Sequence, residues 1–214
     1  MQSKMTGLRL ARLALLLACL GLPASQVARA GGPLGIDHEW SLDTSGVWAQ
    51  KYQNALEYGV VAVELGGGIW FGKDAPLGRT FWQSVDSTAI SSLSAEILKL
   101  AFSRARPNQG NNAAKWFQGS CCDSFPSGEV TVQASFVTPL IVNYAHSNPW
   151  IWTLEILPAY TAIARVKNQA HWQTDVIAGW ALGSAIGYWS TTRETPISVQ
   201  ILPRGLVVGI SRSY

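Results

Sequence analysis

Cysteine is nearly absent: three occur in 214 residues, and Cys19 falls in a stretch that reads as a removable leader. What remains is the adjacent pair Cys121-Cys122, too little for a disulfide framework. The pair has no metal-ligand spacing around it, so it reads as two small half-buried residues or as a local bridge. Long apolar runs are missing too. Residues 13–22 fall short of the roughly 20 apolar residues a spanning helix needs. Later candidates are interrupted, 130–144 by Gln133, Pro139 and Asn143, and 150–164 by Glu155 and Pro158. Repeats, low-complexity tracts and charge blocks are absent as well.

The N-terminus has the pattern of a secretory signal peptide: Lys4, Arg9 and Arg12, a short apolar core, then Ala28-Arg29-Ala30. Domains are therefore expected as a leader over 1–30 and a single unit over 31–214, periplasmic or secreted. A competing reading makes Cys19 a lipid-attachment site. Cleavage would remove four positive charges and no negative one, taking the net charge from +3 to −1. A nucleic-acid partner is then not expected, because that requires a basic patch on the folded domain. Ten tryptophans fit a helical core or an association with a membrane surface. Nothing in the sequence sets an oligomeric state.

Apolar periodicity predicts an all-α chain, with helices near 47–63, 80–106, 127–144, 150–166 and 171–190. Gly66-Gly67-Gly68 reads as the breaker after the first helix and Pro107 as the stop of the second. Alternation in Ile197, Val199 and Ile201, then Pro203-Arg204-Gly205, predicts a β-hairpin at about 197–210. His146 and His38 read as loop or surface histidines.

Three segments carry chemistry. Lys99 and Arg106-Pro107 are seven residues apart, which on a continuous helix puts both cations on one face. Ser127-Gly128-Glu129 opens a helix: Ser127 suits an N-cap, and free N–H groups there attract phosphate. Arg165 precedes His171 by six residues, and Asp175 follows one helical turn later. Each alone has a bland reading as a solvated rim, a capped helix or a helix ion pair.

Together they resemble the type 2 phosphatidic acid phosphatase / vanadium haloperoxidase superfamily, whose pattern is Lys-x6-Arg-Pro, Pro-Ser-Gly-His and Ser-Arg-x5-His-x3-Asp. The run from Ala170 to Val176 is similar to the soluble class A bacterial acid phosphatases. The resemblance implies a helical bundle in which Lys99, Arg106, Arg165, Ser127 and the Gly128 N–H hold phosphate. It also implies that His171 attacks phosphorus, that Asp175 positions the imidazole, and that neither metal nor cofactor is needed. Two positions depart from the pattern. Ala164 replaces a serine, and Glu129 stands where the family's histidine protonates the leaving oxygen. A glutamate can donate there only if its pKa is raised. The expected activity is an exported phosphatase acting on a lipid-linked or small organic phosphate or diphosphate. The alternatives are a phosphate-binding relative without turnover and a vanadate-dependent haloperoxidase.

Overall fold

The computed structural model describes residues 31–193 in full and the backbone of 197–202 and 205–210; the expected leader lies outside the described residues. Five α-helices follow an irregular lead-in: α1 Gln50–Phe71, α2 Pro76–Phe102, α3 Gly128–Tyr144, α4 Ile156–Lys167 and α5 Gln173–Thr191. Single 3-10 turns lie at Gly46–Trp48, Pro107–Gln109 and Gly119–Cys121, and a longer one at Pro149–Glu155 leads into α4. Strands β1 (Ile197–Leu202) and β2 (Gly205–Ile210) pair antiparallel, where the sequence placed a hairpin. No described helix is long and apolar enough to cross a membrane.

Helix α3 is the axis of the bundle, continuously buried from Val130 to Ile141. One side of it packs with Ala162 and Val166 of α4 and Val176 and Trp180 of α5. The other packs with Val60 of α1 and Phe81 of α2. Polar residues enter this core by bonding backbone. Pro139 has no N–H to give the Ser135 carbonyl one turn earlier, and Ser87 Oγ of α2 donates to that carbonyl instead at 2.8 Å. Helix α5 presses against α3 through glycine: a Cβ on Gly183 would stand 2.2 Å from Thr131 O, and one on Gly179 2.5 Å from Ser127 O. This contact brings the N-termini of α3 and α5 side by side.

Three sequence readings are corrected here. The Gly66-Gly67-Gly68 run does not break α1, which continues to Phe71. Glycine serves packing there, since a Cβ on Gly67 would lie 2.5 Å from the Phe81 ring. Helix α2 ends at Phe102, before Pro107, because Ser103 takes a left-handed conformation with φ of 39°. Arg106 therefore does not share a helical face with Lys99. His38 is half-buried, with Nδ1 2.9 Å from Ile36 O and Nε2 accepting from Trp40 Nε1 at 2.7 Å. His146 is exposed in the turn after α3.

Glu64 of α1 is 2% exposed, and burial pushes its pKa from 4.5 up to about 7, with the hydrogen bond from Thr88 opposing only in part. Above pH 4.5 the unfolded chain ionises this group while the folded chain keeps the proton. Stability should therefore fall as pH rises towards 7 and level off above it. The shift corresponds to about 3 kcal/mol. Glu64→Gln should flatten this part of the pH–stability curve in urea melts, and an unchanged slope would refute the assignment.

Candidate active site

The site lies where α2 and α4 end and α3 and α5 begin. His171 sits in the turn before α5, held by N–H bonds from Ala170 and His171 to Arg165 O at 3.0 and 3.3 Å. That placement corrects the expectation that His171 and Asp175 share a helix, since Trp172 is the N-cap of α5. The imidazole is 1% exposed. Its Nδ1 is 2.6 Å from Ser124 O, a contact that places the proton on Nδ1 and leaves the Nε2 lone pair free. Burial is the main cause holding the His171 pKa below its ordinary value; Glu129 opposes it and Arg165 reinforces it. The direction favours the neutral imidazole, the form that can act as a nucleophile.

Asp175 acts one step back from the ring. Its Oδ2 is 3.9 Å from His171 Nδ1, beyond hydrogen-bond reach. That oxygen accepts from Ser124 Oγ at 2.5 Å and from Trp172 N at 2.9 Å. The carboxylate thus fixes Ser124, whose carbonyl orients the imidazole. Asp175 also pairs with Arg104, which is fully buried. Arg104 bonds Asp37 at 2.6 Å, Ala113 O at 2.7 Å and Thr174 Oγ1 at 2.7 Å. The Trp116 ring centroid is 4.3 Å from its guanidinium carbon. Sequence reading missed Arg104, Asp37, Ser124 and Thr174 as parts of this support.

The residues expected to hold phosphate converge. Lys99 Nζ is 3.2 Å from where a Cβ on Gly128 would stand, so the ammonium lies against the start of α3. Ser127 occupies the N-cap position of α3 without capping it. Its N–H is tied to Asp175 O at 3.0 Å, and its Oγ is buried without a partner. Arg165 is 5% exposed, its Nη1 bonding Gln50 Oε1 at 3.0 Å and Glu129 Oε1 at 3.1 Å. Arg165 Nε and His171 Nε2, like Ser127 Oγ, are buried and unpartnered. Arg106 stands further out, in a two-bond pair with Asp123 at 2.8 and 2.9 Å.

Glu129, in the first turn of α3, lies over this group. Its Oε2 is 3.6 Å from His171 Nε2, too far for a hydrogen bond. Burial alone would raise its pKa, but His171 and the Arg165 charge outweigh burial and hold the carboxyl well below the usual range. That direction favours the carboxylate form of Glu129, which has no proton to donate. A glutamate could act as general acid here only with a raised pKa, and the Arg165 charge opposes that rise. Glu57 of α1, also missed, is near enough to feel the Glu129 charge. Burial and the Glu129 charge raise its pKa.

Cys121 and Cys122 are joined by a disulfide in the loop before the site. No cluster of three or more metal-ligating side chains occurs among the described residues.

Residues 81–196, more than half of the chain, match the model of the PAP2 superfamily. The chain belongs to the PAP2 superfamily. This PAP2 chain is 32% identical over 113 residues to an undecaprenyl-diphosphatase from Sulfolobus acidocaldarius, covering 52% of this chain and 53% of that one. It is 30% identical over 95 residues to a lipid A 1-phosphatase from Porphyromonas gingivalis, covering 42% of this chain and 19% of that one. The chain thus spans about half the length of the first relative and about a fifth of the second. The crystal structure of Aquifex aeolicus LpxE is similar in fold, with a TM-score of 0.50 at 14% identity over 69% of this chain and 88% of that one.

Proposed function

We propose that this PAP2 protein is an exported phosphatase that hydrolyses lipid-linked diphosphates or phosphates through a phosphohistidine intermediate. The observation that carries this reading is a buried His171 whose Nδ1 is tied to Ser124 O and whose unpartnered Nε2 faces Glu129, itself paired with Arg165. In the first step the Nε2 lone pair attacks phosphorus. A P–N bond forms, the bond to the leaving oxygen breaks, and that oxygen leaves with the electron pair. Lys99, Arg106 and Arg165 offset charge on the equatorial oxygens, and the N–H groups at the start of α3 add a dipole of the same sign. In the second step water attacks phosphorus, the P–N bond breaks, and phosphate and neutral imidazole are regenerated. The names of both curated relatives support a lipid phosphate as substrate. Export rests on the leader-like residues 1–30, and the tryptophan content supports association with a membrane surface.

With Glu129 ionised, the leaving oxygen receives no proton from it, which favours leaving groups stable as anions. A diphosphate, which expels a phosphate monoester, fits that demand better than an alkyl monophosphate. Phosphate release by the purified chain should be faster from undecaprenyl diphosphate than from an alkyl lipid monophosphate by about 10²-fold, the lower range of what general acid catalysis supplies. p-Nitrophenyl phosphate should resemble the diphosphate. Equal rates from all three would remove the leaving-group argument. A second reading, a phosphate-binding relative without turnover, is favoured by the carboxylate at the position of the family's histidine. Phosphate binding with no release from any substrate would establish it.

A further inference from the structure

The anion-binding groups of this site are already in contact with anions of the chain itself. Lys99 pairs with Glu96 at 2.6 Å, Arg106 with Asp123 at 2.8 Å, and Arg165 with Glu129 at 3.1 Å. The first two acids sit towards solvent, with side chains 64% and 55% exposed. Glu129 differs: its side chain is 24% exposed, and it reaches inward to the nucleophile. One carboxylate oxygen meets Arg165 and the other faces His171 Nε2 at 3.6 Å. That is the approach a phosphoryl group needs, since reacting atoms must come to about 3–3.5 Å. Arg165 Nε and His171 Nε2, on the two groups that Glu129 meets, and Ser127 Oγ at the N-cap of the same helix are inaccessible to solvent and without hydrogen-bond partners.

We propose that Glu129 is an internal anion occupying the phosphoryl position of the resting site, which a substrate must displace before it can reach His171. This rests on the phosphate-cradle reading above. The exchange is chemically reasonable because a carboxylate is planar and singly charged, and leaves Ser127 Oγ and Arg165 Nε unmatched. A tetrahedral phosphoryl group has an oxygen for each and carries more charge. A site closed in this way for most of the time binds its ligand more weakly by the fraction that is open.

Two measurements on the full chain test this, using inorganic phosphate as the probe and diethyl pyrocarbonate as a reporter of access to His171. Glu129→Ala should bind phosphate about tenfold more tightly than wild type, or better. Carbethoxylation of His171, read by mass spectrometry with exposed His146 as internal reference, should be slow in wild type and rise at least tenfold in the variant. Glu129→Gln, which keeps the shape, should move both readouts in the same direction and replaces the alanine variant should that fail to fold. An affinity within twofold of wild type would overturn the proposal. So would a wild-type His171 that reacts as fast as His146. Tighter phosphate binding with unchanged His171 reactivity would also overturn it, since Glu129 would then repel anions without covering the nucleophile. Both readouts rising, with hydrolysis absent from every form, would leave the internal anion standing and remove the phosphatase.

Discussion

His171→Ala should abolish phosphate release, lowering kcat by at least about 10⁴-fold, as expected when a covalent nucleophile is lost from an otherwise intact site. No other neutral nitrogen base is placed to replace it among the described residues: His38 is engaged at both ring nitrogens, and His146 lies beyond the far end of α3. The fold should survive. The substitution removes one hydrogen bond to Ser124 O and leaves that carbonyl unmatched, a cost of about 1–3 kcal/mol. Asp175, Ser124 and Arg104 keep their mutual bonds without the imidazole. The check is a rate measurement alongside a urea melt. Turnover retained within tenfold would remove His171 as the nucleophile; loss of the cooperative melt would show that the ring also supports the fold.

Arg104→Met should be the most damaging single change to stability. Arg104 is fully buried and pairs with both Asp37 and Asp175, whose side chains are also 0% exposed. Methionine replaces its volume and leaves two carboxylates in the interior without their cation. Breaking a buried pair by removing one partner costs about 3–5 kcal/mol, and here two partners are stranded. Arg104→Lys should recover only part of this, because an ammonium cannot meet Asp37, Asp175, Thr174 and the Ala113 carbonyl from one planar fork. Arg106→Met is the contrast: its pair with Asp123 is partly exposed, and such pairs contribute about 0–1 kcal/mol. Equal denaturation midpoints for the Arg104 and Arg106 variants would refute this account.

The bundle and the residues around His171 were legible because the family pattern they resemble sets particular residue types in a fixed chain order. Lys99, Arg106, Ser127, Gly128, Arg165 and His171 could be read from spacing and resemblance; the structure sets Lys99 against the start of α3 and Arg165 and His171 against Glu129, with Arg106 further out. Their supports could not be read in that way. A buried arginine is recognisable only from its partners, and those of Arg104 come from residues 37 and 175. Asp37 sits in a stretch with no periodicity at all. Ser124 acts on His171 through its carbonyl oxygen, a group every residue carries, so no side-chain pattern marks it. The glycines of α1 misled for a related reason: propensity treats them as breakers, while the Phe81 ring of α2 needs the space that Gly67 leaves. The sign of the Glu129 ionisation depended on the distance to Arg165, which a sequence does not contain.

The pairing of cations with carboxylates also bears on how a substrate arrives. Seen from a Debye length away, about 8 Å in physiological salt, Lys99, Arg106 and Arg165 are matched by Glu96, Asp123 and Glu129. The mouth therefore projects little net field, and an anionic substrate gains little electrostatic guidance during diffusion. Capture of this kind is short-ranged and depends weakly on ionic strength. On the phosphatase reading proposed above, this suits a substrate already confined to a surface, where encounter is two-dimensional and repeated.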